Sequence, residues 1–390
     1  VGDIESLPFL EAARQFRLDS GYDNVLYMHV TLIPYIRVAD EIKTKPTQHS
    51  VGTLREIGIQ PDVLICRTEK ALSEEVKEKL SLFCNVRKEA VIEARDVESI
   101  YQVPLVFKKQ ILDEIILSHF KLICKFSDLK EWEKNVIERA INPRHNVVIA
   151  LVGKYTGLQD AYKSIYESLA HAGIANDAKV EIRKVDSEDI QKEGAHKFLK
   201  DVSGVLVPGG FGYRGIEGKI KAIKFARENK IPFLGLCLGM QCAVVEFSRD
   251  VCGLKEANST EFKPRTKQPV ISLLAEQKKV KDLGGTMRLG AYPCKVKKNS
   301  LAFSVYGKSL ISERHRHRYE FNNRYKKLLE SKGMIFSGIY AKRNLIEMVE
   351  LKNHPYFIAV QFHPEFKSKP DNAHPLFKRF IKAALAKNKV

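Results

Sequence analysis

Apolar runs of strand length alternate along the chain with stretches of helical spacing. NVLYMHVTLIPYI, DVLICR, AVIEAR, NVVIALVGKY, VSGVLV, IPFLGL and YFIAV are rich in Val, Ile, Leu and aromatic residues and read as strands. Between and around them, SEEVKEKLSLFCNV reads as an amphipathic helix, as do stretches from about Gly157 to Ala172 and from Met240 to Ser248. Ser6 is placed to cap an opening helix, with Pro8 in its first turn, and a further helix starts near Gln48 after a turn made by Pro46. At the far end, HPLFKRFIKAALAKNKV puts Leu376, Phe377, Phe380, Ile381 and Leu385 on one face, which predicts docking on a domain. Alternating strands and helices predict an α/β protein with parallel sheets, whose ligands gather at the carboxyl ends of the strands. A length of 390 residues suits two domains. The region around FSDLKEWEKNVIERAINPRHN reads as a helix and a linker, with a turn at Asn142-Pro143, dividing the chain into 1–125, a linker over 126–145, and 146–390.

One stretch carries chemistry in its pattern. IPFLGLCLGMQ is an apolar strand, a cysteine between Gly235 and Gly239, and the start of a helix. That is the order of a nucleophile elbow, with the Cys237 sulfur where a serine hydroxyl would stand. The helix start offers free N–H groups and a positive dipole end, both of which favour a thiolate. Taken by itself, a cysteine at a strand end is as readily a core residue. Three further segments shift the balance. PGGFGYRG follows an apolar run, and its glycines let backbone amides face a ligand. QFHPEF offers His363 as a base and Glu365 as its orienting partner. NSTEF adds a carboxylate, Glu261.

Composition narrows the setting. There is no apolar run long enough to span a bilayer and no visible signal peptide. Seven cysteines lie scattered without metal-binding spacing, which fits a reducing, cytoplasmic compartment. A formal net charge of +18 is compatible with a lysine-rich solvated surface or with polyphosphate substrates. No nucleic-acid fold motif and no membrane segment accompany it. In KTKPTQHS, Lys43 and Lys45 beside a helix start suit a phosphate chain, although a charged surface turn reads the same way. ERHRHRYE reads as a solvated basic strand edge or as part of a binding site.

PGGFG, GLCLGMQ and HPE together closely resemble the class I glutamine amidotransferases, from about Asn146 to the end of the chain. The resemblance implies a Cys237–His363–Glu365 triad that hydrolyses glutamine. It also implies that the N–H groups of Gly210 and Leu238 stabilise the oxyanion, within a glutamine-binding set that includes Gly239, Met240, Gln241, Glu261 and Arg318. Earlier in the chain, VGDIES, KTKPTQHS, DVLICR, LFCNV and DVESIY resemble the CTP synthase family. By that resemblance Asp3, Ile4 and Glu5 lie at a UTP/CTP site. Lys43, Thr44, Lys45, Pro46, Thr47, Gln48 and Lys79 contact nucleotide phosphates there, and Val97 lies beside the ATP base. The family uses glutamine, UTP and ATP with Mg2+, is activated by GTP and inhibited by CTP, passes ammonia through an internal channel, and assembles as a homotetramer. It holds no permanently bound cofactor. Tyr213, Arg214 and GGTMRLGAY are the segments that GTP action would use.

The family pattern also has a portion ahead of VGDIES, with a glycine-rich phosphate loop and acidic magnesium ligands. GxxxxGK followed by Ser or Thr occurs nowhere in this chain. The expected architecture is therefore an incomplete, P-loop NTPase-like synthase part followed by a doubly wound amidotransferase domain, with no metal ligand retained. This reading expects the chain to be an N-terminally truncated CTP synthase that keeps glutaminase activity. A stand-alone glutaminase or cysteine hydrolase, or a non-catalytic basic binding or filament subunit, are the other classes the sequence leaves open.

Overall fold

The computed structural model describes residues 1–124, 128–154, 157, 159–273 and 287–387. The chain divides into two compact units, Val1–Ile137 and Glu138–Val390. No described helix is long and apolar enough to cross a membrane.

The first unit holds a three-stranded parallel sheet, Met28–Leu32, Val63–Thr68 and Val91–Arg95, in chain order. Helices Lys45–Glu56 and Glu74–Cys84 make the crossovers. Val51, Leu64, Ile65, Leu80 and Ile92 form its core. The helix Leu7–Ser20 starts where expected, with Ser6 at its cap position and Pro8 in its first turn, but its capping bond and the start of the second helix differ from the sequence reading. The opening cap is Asp3, whose Oδ1 accepts the Glu5 N–H at 3.1 Å, and the Ser6 hydroxyl instead donates to the Asp3 carbonyl at 2.7 Å. A short 3₁₀ turn, Ile4–Ser6, then leads into the helix Leu7–Ser20. The second helix begins at Lys45 rather than near Gln48 and takes Pro46 into its first turn. A missing N–H costs nothing there, because first-turn donors have no intrahelical partner.

Residues 130–141 are helical throughout, with one π-type turn over Glu133–Ile137. Residues 126 and 127, where the expected linker starts, lie outside the described residues. Trp132 anchors the first part of this run by donating its indole N–H to the Tyr101 carbonyl at 2.8 Å.

The second unit is built on a nine-stranded sheet. Five strands are parallel: Ala178–Asp186, His145–Gly153, Gly204–Val207, Phe233–Leu236 and Phe357–Val360. Four antiparallel strands continue it: Leu345–Leu351, Met334–Tyr340, Arg288–Val296 and, at the edge, Leu310–His317. Alternation along the strand His145–Gly153 separates two cores. Ala150 and Val152 pack with the helices Ile216–Glu228 and Leu238–Asp250, while Val147, Ile149 and Leu151 pack with Lys163–Ala175 and Pro375–Lys387. The terminal helix buries Leu376, Phe377, Phe380 and Ile381, with Leu385 packed beside them.

The helix expected from Gly157 begins instead at Lys163, after a 3₁₀ turn over Gln159–Tyr162. Tyr162 folds back over the end of the first parallel strand. A side-chain carbon at Gly153 would lie 2.6 Å from the Tyr162 hydroxyl, which also accepts the Lys154 N–H at 3.3 Å. The edge strand corrects the picture of ERHRHRYE as simply a solvated edge: Glu313, His315 and His317 are buried, while Arg314 and Arg316 face outward.

Candidate active site

Cys237 joins the strand Phe233–Leu236 to the helix Leu238–Asp250 with φ 49° and ψ −99°. A non-glycine residue rarely holds such a backbone, and it persists here because both neighbouring elements are packed and pinned. The Cys237 N–H donates to the Val360 carbonyl at 2.7 Å, and the Cys237 carbonyl accepts from Met240 and Gln241 at 3.1 and 3.3 Å. Crowding explains the glycine at 239: a side-chain carbon there would lie 2.2 Å from the Val207 carbonyl oxygen. Gly209 is equally constrained, since its added carbon would sit 2.9 Å from His363 Cε1 and 3.5 Å from Cys237 Cβ. The Cys237 sulfur lies 3.7 Å from the Gln361 amide nitrogen and 4.0 Å from the Arg316 carbonyl.

The strand Phe357–Val360 delivers QFHPEF to the same place. His363 Nδ1 is 2.7 Å from Glu365 Oε1. A carboxylate only accepts, so Nδ1 carries the proton and the lone pair of the neutral ring is on Nε2. That nitrogen is buried and makes no hydrogen bond among the described residues. Burial opposes charge on His363, but the Cys237 sulfur and the Glu365 carboxylate outweigh it and raise the imidazole to about 10.

Cys237 opens onto two cavities. One, of about 420 Å3, includes His363, Glu365, Gly209, Arg316 and Phe366. The other, of about 50 Å3, includes Gln241, Glu261, Met287, His317, Arg318 and Tyr319. Gly210 and Phe211 line both. The expected residues Gly210, Gln241, Glu261 and Arg318 are thus gathered with Cys237 around the smaller cavity. Gln241 Nε2 donates to the Tyr319 carbonyl at 3.3 Å and to Gln361 Oε1 at 3.4 Å, while its own buried Oε1 has no partner among the described residues. Burial raises the Glu261 carboxyl, partly offset by the Gly212 N–H it accepts at 3.0 Å. Leu238, as the first helical residue, has an N–H with no intrahelical partner, and a side chain on Gly210 would touch Leu238 at 3.4 Å. Gly239 and Met240 are placed differently: Met240 packs into the core and Gly239 lies against Val207. Gln361, His317 and Tyr319 were missed by the sequence reading. The two-residue alternation of ERHRHRYE was the available signal for His317.

In the first unit, Asp3, Ile4 and Glu5 are exposed beside the opening cap. Lys43 pairs with Glu41, and Thr44, Lys45, Pro46, Thr47 and Gln48 form the start of the second helix. Gln48 donates to Thr44 Oγ1 at 3.1 Å, and Thr47 to the Leu32 carbonyl at 3.3 Å. Lys79 is exposed on its helix. Val97 lines a cavity of about 980 Å3 with Arg67, Arg95, Asp96, Ile100 and Phe107. That cavity includes neither Asp3–Glu5 nor Lys43–Gln48. Tyr213 is exposed on the PGGFGYRG loop. Residues 284–286 of GGTMRLGAY lie outside the described residues.

Comparison with known proteins joins the two halves. The family model described as CTP synthase N-terminus matches residues 1–122, and that of glutamine amidotransferase class-I matches residues 157–383. A CTP synthase of Caldanaerobacter subterraneus subsp. tengcongensis is 59% identical over 385 residues, covering 99% of this chain and 72% of that protein. The CTP synthase of Carboxydothermus hydrogenoformans is 57% identical over 390 residues, covering 100% of this chain and 73% of that protein. A solved Trypanosoma brucei CTPS glutaminase domain with bound acivicin superposes with a TM-score of 0.59 at 39% identity, covering 62% of this chain and 94% of that one. The chain therefore belongs to the CTP synthase family, glutamine-hydrolysing ligases of pyrimidine biosynthesis that join a synthase part to a class I glutamine amidotransferase domain.

Proposed function

We propose that Cys237, His363 and Glu365 are the glutamine-hydrolysing triad of this enzyme, and that the smaller cavity receives the amino-acid end of glutamine. The observation that carries this reading is that Cys237 opens both to the His363–Glu365 pair and to the pocket of Gln241, Glu261 and Arg318. In that pocket the substrate ammonium meets Glu261 and the unpartnered Gln241 Oε1, and its carboxylate meets Arg318, whose planar fork suits it. A substrate ammonium would also offset the cost of burying the Glu261 carboxylate.

The carboxamide carbon then lies before the sulfur. With its proton already on His363 Nε2, the Cys237 sulfur attacks as a thiolate, and Glu365 holds the charged ring by accepting its Nδ1–H. Attack places negative charge on the amide oxygen, to which the N–H groups of Gly210 and Leu238 donate; losing one such donor costs about 2.7–4 kcal/mol of barrier. His363 returns the proton to the departing nitrogen, ammonia leaves, and a glutamyl thioester remains. The same imidazole then activates water, and glutamate is released.

In the synthase half we assign Asp3, Ile4, Glu5, Lys43–Gln48 and Lys79 to UTP or CTP and Val97 to the ATP base, supported by the matching segments. The same kinship supports activation by GTP through the Tyr213–Arg214 loop, inhibition by CTP, passage of ammonia between the two reactions, and assembly as a homotetramer. It also supports use of Mg2+, although among the described residues no group of three or more His, Cys, Asp or Glu could hold a metal ion. Residues 126–145 are our linker between the halves. A cytoplasmic setting is supported by the buried, unbridged thiols Cys66, Cys84, Cys242 and Cys294.

Glutamate release and CTP formation, followed together with and without UTP, ATP, Mg2+ and GTP, test the reading. Glutamate release is expected from the wild-type chain and abolished in Cys237→Ala. A variant that hydrolyses glutamine at the wild-type rate would remove Cys237 from the chemistry.

A further inference from the structure

Gln361, just ahead of the triad histidine, is fully buried and touches the nucleophile. Its own N–H donates to the Glu347 carbonyl at 2.8 Å, and the carbonyl of Val360 before it accepts the Cys237 N–H at 2.7 Å. The end of the strand Phe357–Val360 therefore grips Cys237 through both backbone and side chain. A primary amide brings two donors and an acceptor oxygen, and burying it is costly unless partners meet them. Here Gln361 Nε2 lies 3.7 Å from the Cys237 sulfur, and Gln361 Oε1 lies 3.4 Å from Gln241 Nε2.

The direction of these bonds is fixed from the far end. The Tyr319 carbonyl only accepts, so Gln241 presents its NH2 there, at 3.3 Å. The same nitrogen faces Gln361, which must answer with its oxygen. The Gln361 NH2 is then turned to the sulfur. Flipped over, this amide would set oxygen against sulfur and nitrogen against nitrogen. On its other side the sulfur meets the Arg316 carbonyl at 4.0 Å. That carbonyl can accept from a thiol but offers a thiolate nothing. The amide does the reverse, and its bond is the stronger when the acceptor is charged.

We propose that Gln361 is a further catalytic residue: its NH2 stabilises the Cys237 thiolate, while its oxygen holds Gln241 with Oε1 free for the substrate ammonium. The donor acts twice. Before attack it favours the thiolate–imidazolium pair over the thiol and neutral ring. After water has added to the thioester, the C–S bond breaks, its electron pair returns to sulfur, and the same N–H meets the returning charge. The second part, the hold on Gln241, rests on the smaller cavity being the glutamine site.

The test reads kcat, KM for glutamine and the ultraviolet absorbance of the thiolate, each protein being compared with the same protein carrying Cys237→Ala. Gln361→Met keeps the size of the side chain and removes both bonds. It is expected to lower kcat on the order of tenfold or more, to lower the thiolate absorbance, and to raise KM about threefold. Gln241→Met is expected to raise KM while leaving the thiolate absorbance at the wild-type level. In Gln361→Glu the new carboxyl donates to sulfur while protonated and opposes it once ionised. Its thiolate absorbance should therefore fall as pH rises, the reverse of an ordinary cysteine, and loss of packing alone would not produce that sign. Wild-type kcat and thiolate absorbance in Gln361→Met would overturn the role, as would an equal loss of thiolate in Gln241→Met. If Gln361→Met does not fold, the Gln361→Glu titration decides, and an absorbance that only rises with pH overturns the role. An unchanged KM in Gln241→Met would instead remove the glutamine-site assignment, while the absorbance still decides the contact of Gln361 with sulfur.

Discussion

At the scale of single residues, the site is a contest between burial and pairing. His363 is mostly enclosed, which alone would keep its ring neutral, yet the sulfur and the carboxylate beside it raise the pKa to about 10. A raised value means that the charged ring adds stability in full below the unfolded value near 6.5, and that this contribution fades as pH climbs through about 10. Cys237→Ala removes one of the two raising partners while leaving Glu365 in place. The His363 midpoint should therefore fall by about one unit or more, read from the Cε1–H chemical shift across a pH titration. An unmoved midpoint would show that Glu365 alone sets the charge and that sulfur and ring do not form an ion pair. The cysteine, histidine and carboxylate were all legible because their spacing and glycines are local in sequence. Gln361 and Tyr319 were not, because each acts through a contact with a residue more than seventy positions away.

At the scale of elements, the sequence was clearest where one period governs a whole segment. The strand before Cys237 and the terminal helix both show this. The helix start at Lys163 was misjudged because a tertiary contact, Tyr162 over Gly153, delays it. Of the four antiparallel strands only the one carrying ERHRHRYE was anticipated, as a strand edge, and its burial of Glu313, His315 and His317 was not. His315, Glu320 and Glu347 read as surface residues by type, yet all three are buried, with both carboxylates accepting from Arg288. The terminal helix gives this scale its measurement. Phe380 is fully buried, packing against Tyr356 at 5.8 Å and over Gly204, where an added carbon would lie 2.9 Å from its ring. Phe380→Ala should cost about 3–5 kcal/mol in denaturant unfolding of this unit. Lys378→Ala, on the exposed face, should stay within about 0.5 kcal/mol. Equal losses would mean that the helix does not dock through its apolar face.

At the scale of the whole molecule, the two units have separate cores. Every residue of the first unit's cluster lies between Ile33 and Leu112 or packs on it from within Val1–Ile137, and both clusters of the second unit lie within Glu138–Val390. Cys237, His363, Glu365, Gln241, Glu261 and Arg318 all belong to the second unit. Their edges differ as well. The three-stranded sheet ends in Met28–Leu32, where Met28, Val30 and Leu32 are 49%, 61% and 63% exposed, whereas the strands of the larger sheet that carry the elbow are covered on both faces. Calorimetry of the full chain should therefore resolve two transitions, the first unit unfolding at the lower temperature. At about 0.7 kcal/mol per residue the enthalpies should be about 95 and about 175 kcal/mol near 60 °C, far enough apart to assign by size. A fragment spanning 138–390 should reproduce the upper transition and retain glutamine hydrolysis. A single transition for the full chain, or a fragment that melts well below the upper one, would mean that the amidotransferase half draws its stability from the synthase half.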